Sequence, residues 1–268
     1  MQVGIGVSLQ GGVTRVTLSH PMRLNAMTRQ MWRDLRRVFD ELKGQPNLRC
    51  VLVSGEGAHF CAGGDISEYP AFRFEAASLR QFHEGEVWPA LQAMLDCDVP
   101  LVAQIAGNCM GAGLEIASCC DLRLAAASAR FGAPIARLGF PMAPREAALV
   151  VREAGLLTAR GMLLEAAVLD APQMLTRGFL SRVLPDDELA AEAQATAHRV
   201  SALAPQAARL NKQTLRTLMS NPALTPVVID GIAINTEAIS AADPYAYAAS
   251  AEHREGVHAF LDKRKPAF

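Results

Sequence analysis

The 268-residue sequence predicts an α/β fold around a mostly parallel sheet, followed by a helical appendage. Three observations carry that expectation. Short apolar runs alternate with helical patterns up to about Pro185, as strands joined by helical crossovers do. Half of the residues are hydrophobic, ample for a sizeable core at this length. Beyond Pro185 the pattern is mostly helical to the end.

The elements follow in order. VGIGVSLQ and VTRVTLSHP read as two strands turned at Gly11-Gly12. In TRQMWRDLRRVFDELKG, Thr28 is placed to cap a helix, Met31, Leu35, Val38 and Leu42 share one face, and Gly44 ends it. RCVLVSGEG is a short apolar strand, and FCAGGDI is too rich in glycine to be regular. A helical stretch covers Ala76 to Asp96, and Pro100 introduces the strand LVAQIAG. The alternation continues through CDLRLAAASARFG. Three helical segments then close the chain: DDELAAEAQATAHRVSALA, PQAARLNKQTLRTLM and SAEHREGVHAFLDKR. Neither an internal repeat nor a low-complexity linker interrupts it.

Composition narrows the function. A net charge of −1 with dispersed arginines offers no basic field for nucleic acid. The N-terminus alternates and lacks a signal-like apolar run. The most apolar stretch, Val99 to Cys120, is broken by Gln104, Asn108 and Glu115, so no membrane span is expected. Six cysteines form no CxxC pair and no zinc pattern with histidine; they read as small buried residues of a reducing cytoplasm. Neither a metal nor a separate cofactor is expected.

Two loops stand out. CAGGDI (Cys61 to Ile66) and MGAGLE (Met110 to Glu115) each put small residues at a bend after a strand, where main-chain N–H groups can point outward. Neither fits a P-loop or GxGxxG. Read alone, they are two tight turns; read together, they could give two N–H donors to one oxygen, an oxyanion hole. Just behind the second loop stands Glu115, a lone carboxylate in an apolar run. Burial disfavours its charged form, so it is either a catalytic acid or a structural one paired with an arginine such as Arg123.

HPMRLNAM, GAHFCAGGDISEY, AGNCMGAGLEIASCCDLRLAAASARFG, the RLGF-P element and EGVHAFLDKRKPAF together resemble the enoyl-CoA hydratase/isomerase (crotonase) family. The likeness runs from the N-terminal strands to the last residue. It implies a spiral of β-β-α turns with a C-terminal helical trimerisation region, trimers commonly paired into hexamers, and acyl-CoA thioester substrates of the kind met in fatty acid metabolism. On this resemblance residues 1–200 form the spiral core with the acyl-CoA site, and residues 201–268 a helical region for oligomerisation and CoA cover. The oxyanion donors become the N–H groups of Gly64 and Ala112. The resemblance also puts Arg23 near the CoA phosphates and Ala26, Ala62, Asp65 and Ile66 along the pantetheine and adenine path. Phe260 and Lys263 would approach CoA, often that of a neighbouring subunit. Arg23 and Lys263 also read as solvated charges, and Asp65 as a helix cap.

The chain departs from the pattern at one decisive place. Glu115 matches the first of two catalytic glutamates of the family's hydratases, which share one water and need separately tuned pKa values. The second belongs to A-x-F-G-x-P-E, and here Ala129-Arg130-Phe131-Gly132-Ala133-Pro134 is followed by Ile135. After the LG element Met142, Ala143 and Pro144 stand where an acid and glycines are usual. Glu146 is then either a substitute acid or a helix-dipole residue. The family name implies a lyase that hydrates 2-enoyl-CoA to 3-hydroxyacyl-CoA. One acid instead suits isomerisation, decarboxylation or thioester hydrolysis, and an acyl-CoA-binding subunit of poor turnover is the reading from another class. Glu68 to Trp88 is expected over the acyl end, with Tyr69, Phe72, Phe74 and His83 as pocket or core.

Overall fold

The computed structural model describes residues 3–220 and 250–268. Strands β1 (Gly4–Gln10) and β2 (Val13–Ser19) form an antiparallel hairpin. Gly11 and Gly12 both have positive φ, 49° and 64°, the tight turn whose twist suits two flanking strands. Helix α1 (Arg29–Lys43) starts where Thr28 Oγ1 accepts the Met31 N–H at 3.1 Å. Its expected apolar face is buried, joined by Trp32 and Phe39. The chain then enters β3 (Cys50–Gly55), a continuous apolar run buried on both faces, parallel to β2.

The helical stretch after residue 75 is three pieces. Helix α2 (Ala76–Phe82) leads into a π-helical turn, His83–Val87, and then α3 (Trp88–Leu95). Pro89 explains the break, because its ring would collide with the Gly85 carbonyl in a continuous α-helix. The bond shifts register instead, with Trp88 N–H donating to the His83 carbonyl.

Strand β4 (Leu101–Ile105) lies parallel to β3. It is followed by β5 (Asn108–Met110), α4 (Ala112–Ser118), β6 (Leu122–Ala126), β7 (Arg130–Gly132), α5 (Pro144–Ala154) and α6 (Leu156–Leu164). Then come β8 (Val168–Asp170), α7 (Ala171–Thr176), β9 (Arg182–Leu184), α8 (Leu189–Ser201), α9 (Pro205–Ser220) and α10 (Ala251–Leu261). The large sheet runs β1-β2-β3-β4-β6-β9, antiparallel only at its first pair. A smaller sheet, β5-β7-β8, pairs β5 with β7 in parallel and β7 with β8 antiparallel.

Helix α8 packs against β2, β3, β4 and β6, so the expected boundary after residue 200 falls at the end of a core helix. Helix α9 is tied to the core by cations: Lys212 to Asp121 at 2.7 Å, Arg216 to Asp98 at 2.8 Å, and Arg209 to the Leu48 carbonyl at 2.7 Å. Helix α10 returns to α9, where Glu252 accepts the N–H groups of Gln206 and Ala207 at 2.7 and 3.2 Å. The part of the expected C-terminal helical region at 221–249 lies outside the described residues. All six cysteines are buried and unpaired, and burial pushes the thiols of Cys50, Cys61 and Cys120 up to about 12. Among the described residues no helix is long and apolar enough to cross a membrane.

Candidate active site

The two glycine loops meet. Cys61 donates its N–H to the Asn108 carbonyl and accepts that of Met110, both at 2.9 Å, which docks the first loop on β5. Met27 donates to the Gly63 carbonyl and accepts from Asp65, both at 2.8 Å. Successive N–H groups of an extended segment alternate in direction, so the Gly64 N–H points away from Met27. Ala112 opens α4, and its N–H has no acceptor within the helix. The glycines at these bends are structural requirements. Gly63 and Gly111 have φ of 116° and 48°. A Cβ on Gly113 would stand 2.5 Å from the Cys61 carbonyl oxygen, and one on Gly64 2.4 Å from the Tyr69 hydroxyl.

Both loops face a cavity of about 340 Å³ whose wall includes Gly64, Ala112, Glu115, His83, Arg73 and Ile135. Glu115 belongs to α4, every residue of which is buried. Burial first, and the charge of Glu146 second, push its carboxyl up to about 8, so it keeps its proton at neutral pH. Arg123 is not its counter-ion. The Arg123 guanidinium donates to Glu153 at 3.0 Å and to the carbonyls of Phe179 and Cys120 at 2.6 and 3.1 Å. That overturns the purely structural pairing.

Glu146 lies in the first turn of α5 but is neither a cap nor part of the cavity wall. Its side chain is 3 % exposed, and its Oε1 lies 3.1 Å from His83 Nδ1. His83 opens the π-helical turn and lines the cavity itself. The turn is anchored from the far side: Glu86 accepts from Arg29 at 3.0 and 2.5 Å and lies 3.2 Å from Arg33 on α1. A buried carboxylate thus orients an imidazole whose second nitrogen has no hydrogen-bond partner among the described residues.

Of the other residues singled out from sequence, Ala62 and Ile66 line the same cavity. Asp65 caps a 3-10 turn at Ile66–Ala71, its carboxylate accepting the Ser67 N–H at 3.0 Å. Ala26 is buried and Arg23 is exposed; neither lines the cavity. Phe260 and Lys263, at the end of α10, are exposed and away from this wall. Phe72 belongs to the core and Phe74 is exposed; Phe82, Phe140 and Trp32 join Tyr69 in the pocket instead. Arg73 escaped the sequence reading. Its guanidinium carbon lies 3.6 Å from the centre of the Phe140 ring and 4.6 Å from that of Tyr69. The only sequence signal was a basic residue inside the run FRF.

Comparison with known proteins identifies the family. Residues 8–268 match the family model described as enoyl-CoA hydratase/isomerase. A probable enoyl-CoA hydratase (echA8) of Mycobacterium bovis is 30% identical, with 94% of this chain and 93% of that protein aligned. A crystal structure described as an enoyl-CoA hydratase/carnithine racemase from Magnetospirillum magneticum superposes with a TM-score of 0.89 at 36% identity, covering 100% of this chain and 96% of the other. The (E)-benzylidenesuccinyl-CoA hydratase of Thauera aromatica is 26% identical over 98% of both chains.

Proposed function

The chain belongs to the enoyl-CoA hydratase/isomerase family, and on that premise we propose that it adds water reversibly to a 2-enoyl-CoA, using Glu115 and a His83–Glu146 pair. The thioester carbonyl oxygen takes the N–H groups of Gly64 and Ala112, which stabilise the enolate as it forms; one such donor is typically worth about 3 kcal/mol. With Glu146 accepting from Nδ1, the His83 Nε2 lone pair takes a proton from water as its oxygen bonds to Cβ. The π electrons move onto the thioester oxygen, and the collapsing enolate takes the Glu115 proton at Cα. His83 is left protonated and Glu115 ionised, and exchange with solvent restores both.

The observation that carries this reading is one cavity lined by two different proton carriers. A carboxyl held protonated at neutral pH and a carboxylate-oriented imidazole divide the acid and base roles that two glutamates would share. Ile135, on the same wall, transfers no proton. It favours a second reading, a one-acid isomerase in which Glu115 alone shuttles a proton between carbons.

The CoA moiety is proposed to follow Arg23, Ala26, Ala62, Asp65 and Ile66, with Phe260 and Lys263 of a neighbouring subunit over it. A homotrimer or dimer of trimers, cytoplasmic and without a separate cofactor, completes the proposal. Phe260 and Leu261, 83 % and 68 % exposed on α10, support such a contact. The test follows hydration and Cα deuterium incorporation together, on a panel of enoyl-CoA thioesters in D₂O, for wild type, Glu115→Gln and His83→Gln. Hydration lost in both variants is expected. Exchange that needs Glu115 but not His83, without hydration, would favour the isomerase. No exchange on any thioester that binds would leave a binding subunit.

A further inference from the structure

We propose that Arg73 is a carboxylate receptor in the cavity that holds Glu115, and that the substrates are short acyl-CoA thioesters bearing a second, distal carboxylate; this rests on the acyl-CoA reading above. The guanidinium is half-buried and stacked on the Phe140 ring, with Tyr69 beside it. The two rings, 5.9 Å apart and nearly perpendicular, form a fixed aromatic corner around it. Aromatic contact covers a face of the guanidinium plane and leaves its in-plane N–H donors open.

Nothing in the described residues takes those donors. Other arginines around the site have acceptors: Arg29 and Arg33 have Glu86, Arg145 has Glu84 at 3.2 Å, and Arg137 donates to the Ala166 carbonyl at 3.3 Å. Among the described residues Arg73 has neither an ion pair nor a side-chain hydrogen bond, only its two rings. Burial accordingly lowers its pKa, the sign of a cation that has lost water without gaining a counter-ion. A guanidinium in this state is matched by a planar carboxylate, which takes two parallel N–H bonds.

The rest of the cavity fits a diacid. Phe82, Val87 and Met142 offer apolar wall for a short methylene link. Glu115 keeps its proton at neutral pH, so the second carboxylate meets no like charge there. The other anion within an acyl-CoA is a CoA phosphate, and the experiment separates the two.

Calorimetry on the full chain compares succinyl-, glutaryl- and adipyl-CoA with their uncharged isosteres, 4-methylpentanoyl-, 5-methylhexanoyl- and 6-methylheptanoyl-CoA, and with free CoA. Wild type should bind the diacid about ten- to a hundredfold more tightly at one or more lengths. Arg73→Met should abolish that preference, and Arg73→Lys should keep part of it. Equal affinities for all three pairs in the wild type would overturn the proposal without any variant. So would a preference that survives Arg73→Met, or an Arg73→Met loss of the same size for both thioesters and free CoA. Thioester binding without a carboxylate preference refutes this inference alone, whereas no CoA binding at all refutes the functional reading beneath it.

Discussion

Glu115→Gln should remove a pH dependence of stability that can be worked out from the buried carboxyl. Its pKa is raised by burial and by Glu146 from 4.5 to about 8. Between those values the folded state holds a proton that the unfolded state has lost. Stability from this group is therefore fully present below the unfolded pKa and declines as pH rises towards the folded one, by up to about 1.4 kcal/mol per unit. From pH 6 to pH 8 the loss sums to about 2 kcal/mol, because the folded group is still half protonated at its own pKa. Glutamine resembles the protonated carboxyl and cannot ionise. Urea unfolding of wild type and Glu115→Gln at pH 6, 7 and 8, at one protein concentration, isolates the term, since groups that do not interact with Glu115 cancel in the difference. The variant should match the wild type only below the unfolded pKa, stand about 2 kcal/mol above it at pH 6 to within its hydrogen-bond change, and gain about 2 kcal/mol more by pH 8. A difference that stays flat across that range would show an ordinary carboxyl, and Glu115 would then be ionised at neutral pH and unfit as the proton donor to Cα.

The other predictions concern the loops and the support of the site. His83→Gln and Glu146→Gln should each lower hydration by roughly 10²- to 10⁴-fold and should not add in the double variant, because one residue acts through the other; additive losses would break the pair. Gly64→Ala pushes a methyl group to 2.4 Å from the Tyr69 hydroxyl, so activity should fall, and Tyr69→Phe in the same chain should restore part of it. Gly113→Ala meets the Cys61 backbone, which cannot rotate away; stability should drop by about 1–3 kcal/mol together with activity, measured as an unfolding midpoint. Arg123→Met takes the donors from the Phe179 and Cys120 carbonyls and leaves Glu153 with Arg152 alone; it should cost about 1–3 kcal/mol of stability, with Glu115-dependent exchange at Cα intact in the folded fraction.

What the sequence alone determined is local or patterned. The Gly11-Gly12 hairpin, the Thr28 cap, the face of α1 and the buried run of β3 follow from residue periodicity and turn chemistry, which neighbouring residues suffice to express. Family motifs likewise marked Gly64, Ala112 and Glu115, and the Phe-Gly-x-Pro landmark exposed Ile135 as a departure. The stretch read as one helix from Ala76 to Asp96 holds Pro89, and only the structure shows its consequence: the hydrogen-bond register shifts by one residue in the turn before it.

The tertiary structure decided which groups share a cavity. His83 and Glu146 are 63 residues apart, and no spacing rule connects a π-helical turn with the first turn of α5. Arg123 looked like a counter-ion for Glu115 because both are buried and near in sequence, yet α5 brings Glu153 to it instead. Arg73 gained meaning only when Phe140, 67 residues later in the segment before α5, closed over it. The reason is physical. A pKa, a stacked cation or an oriented imidazole is set by burial and by neighbours in space, and those are fixed only when distant segments pack.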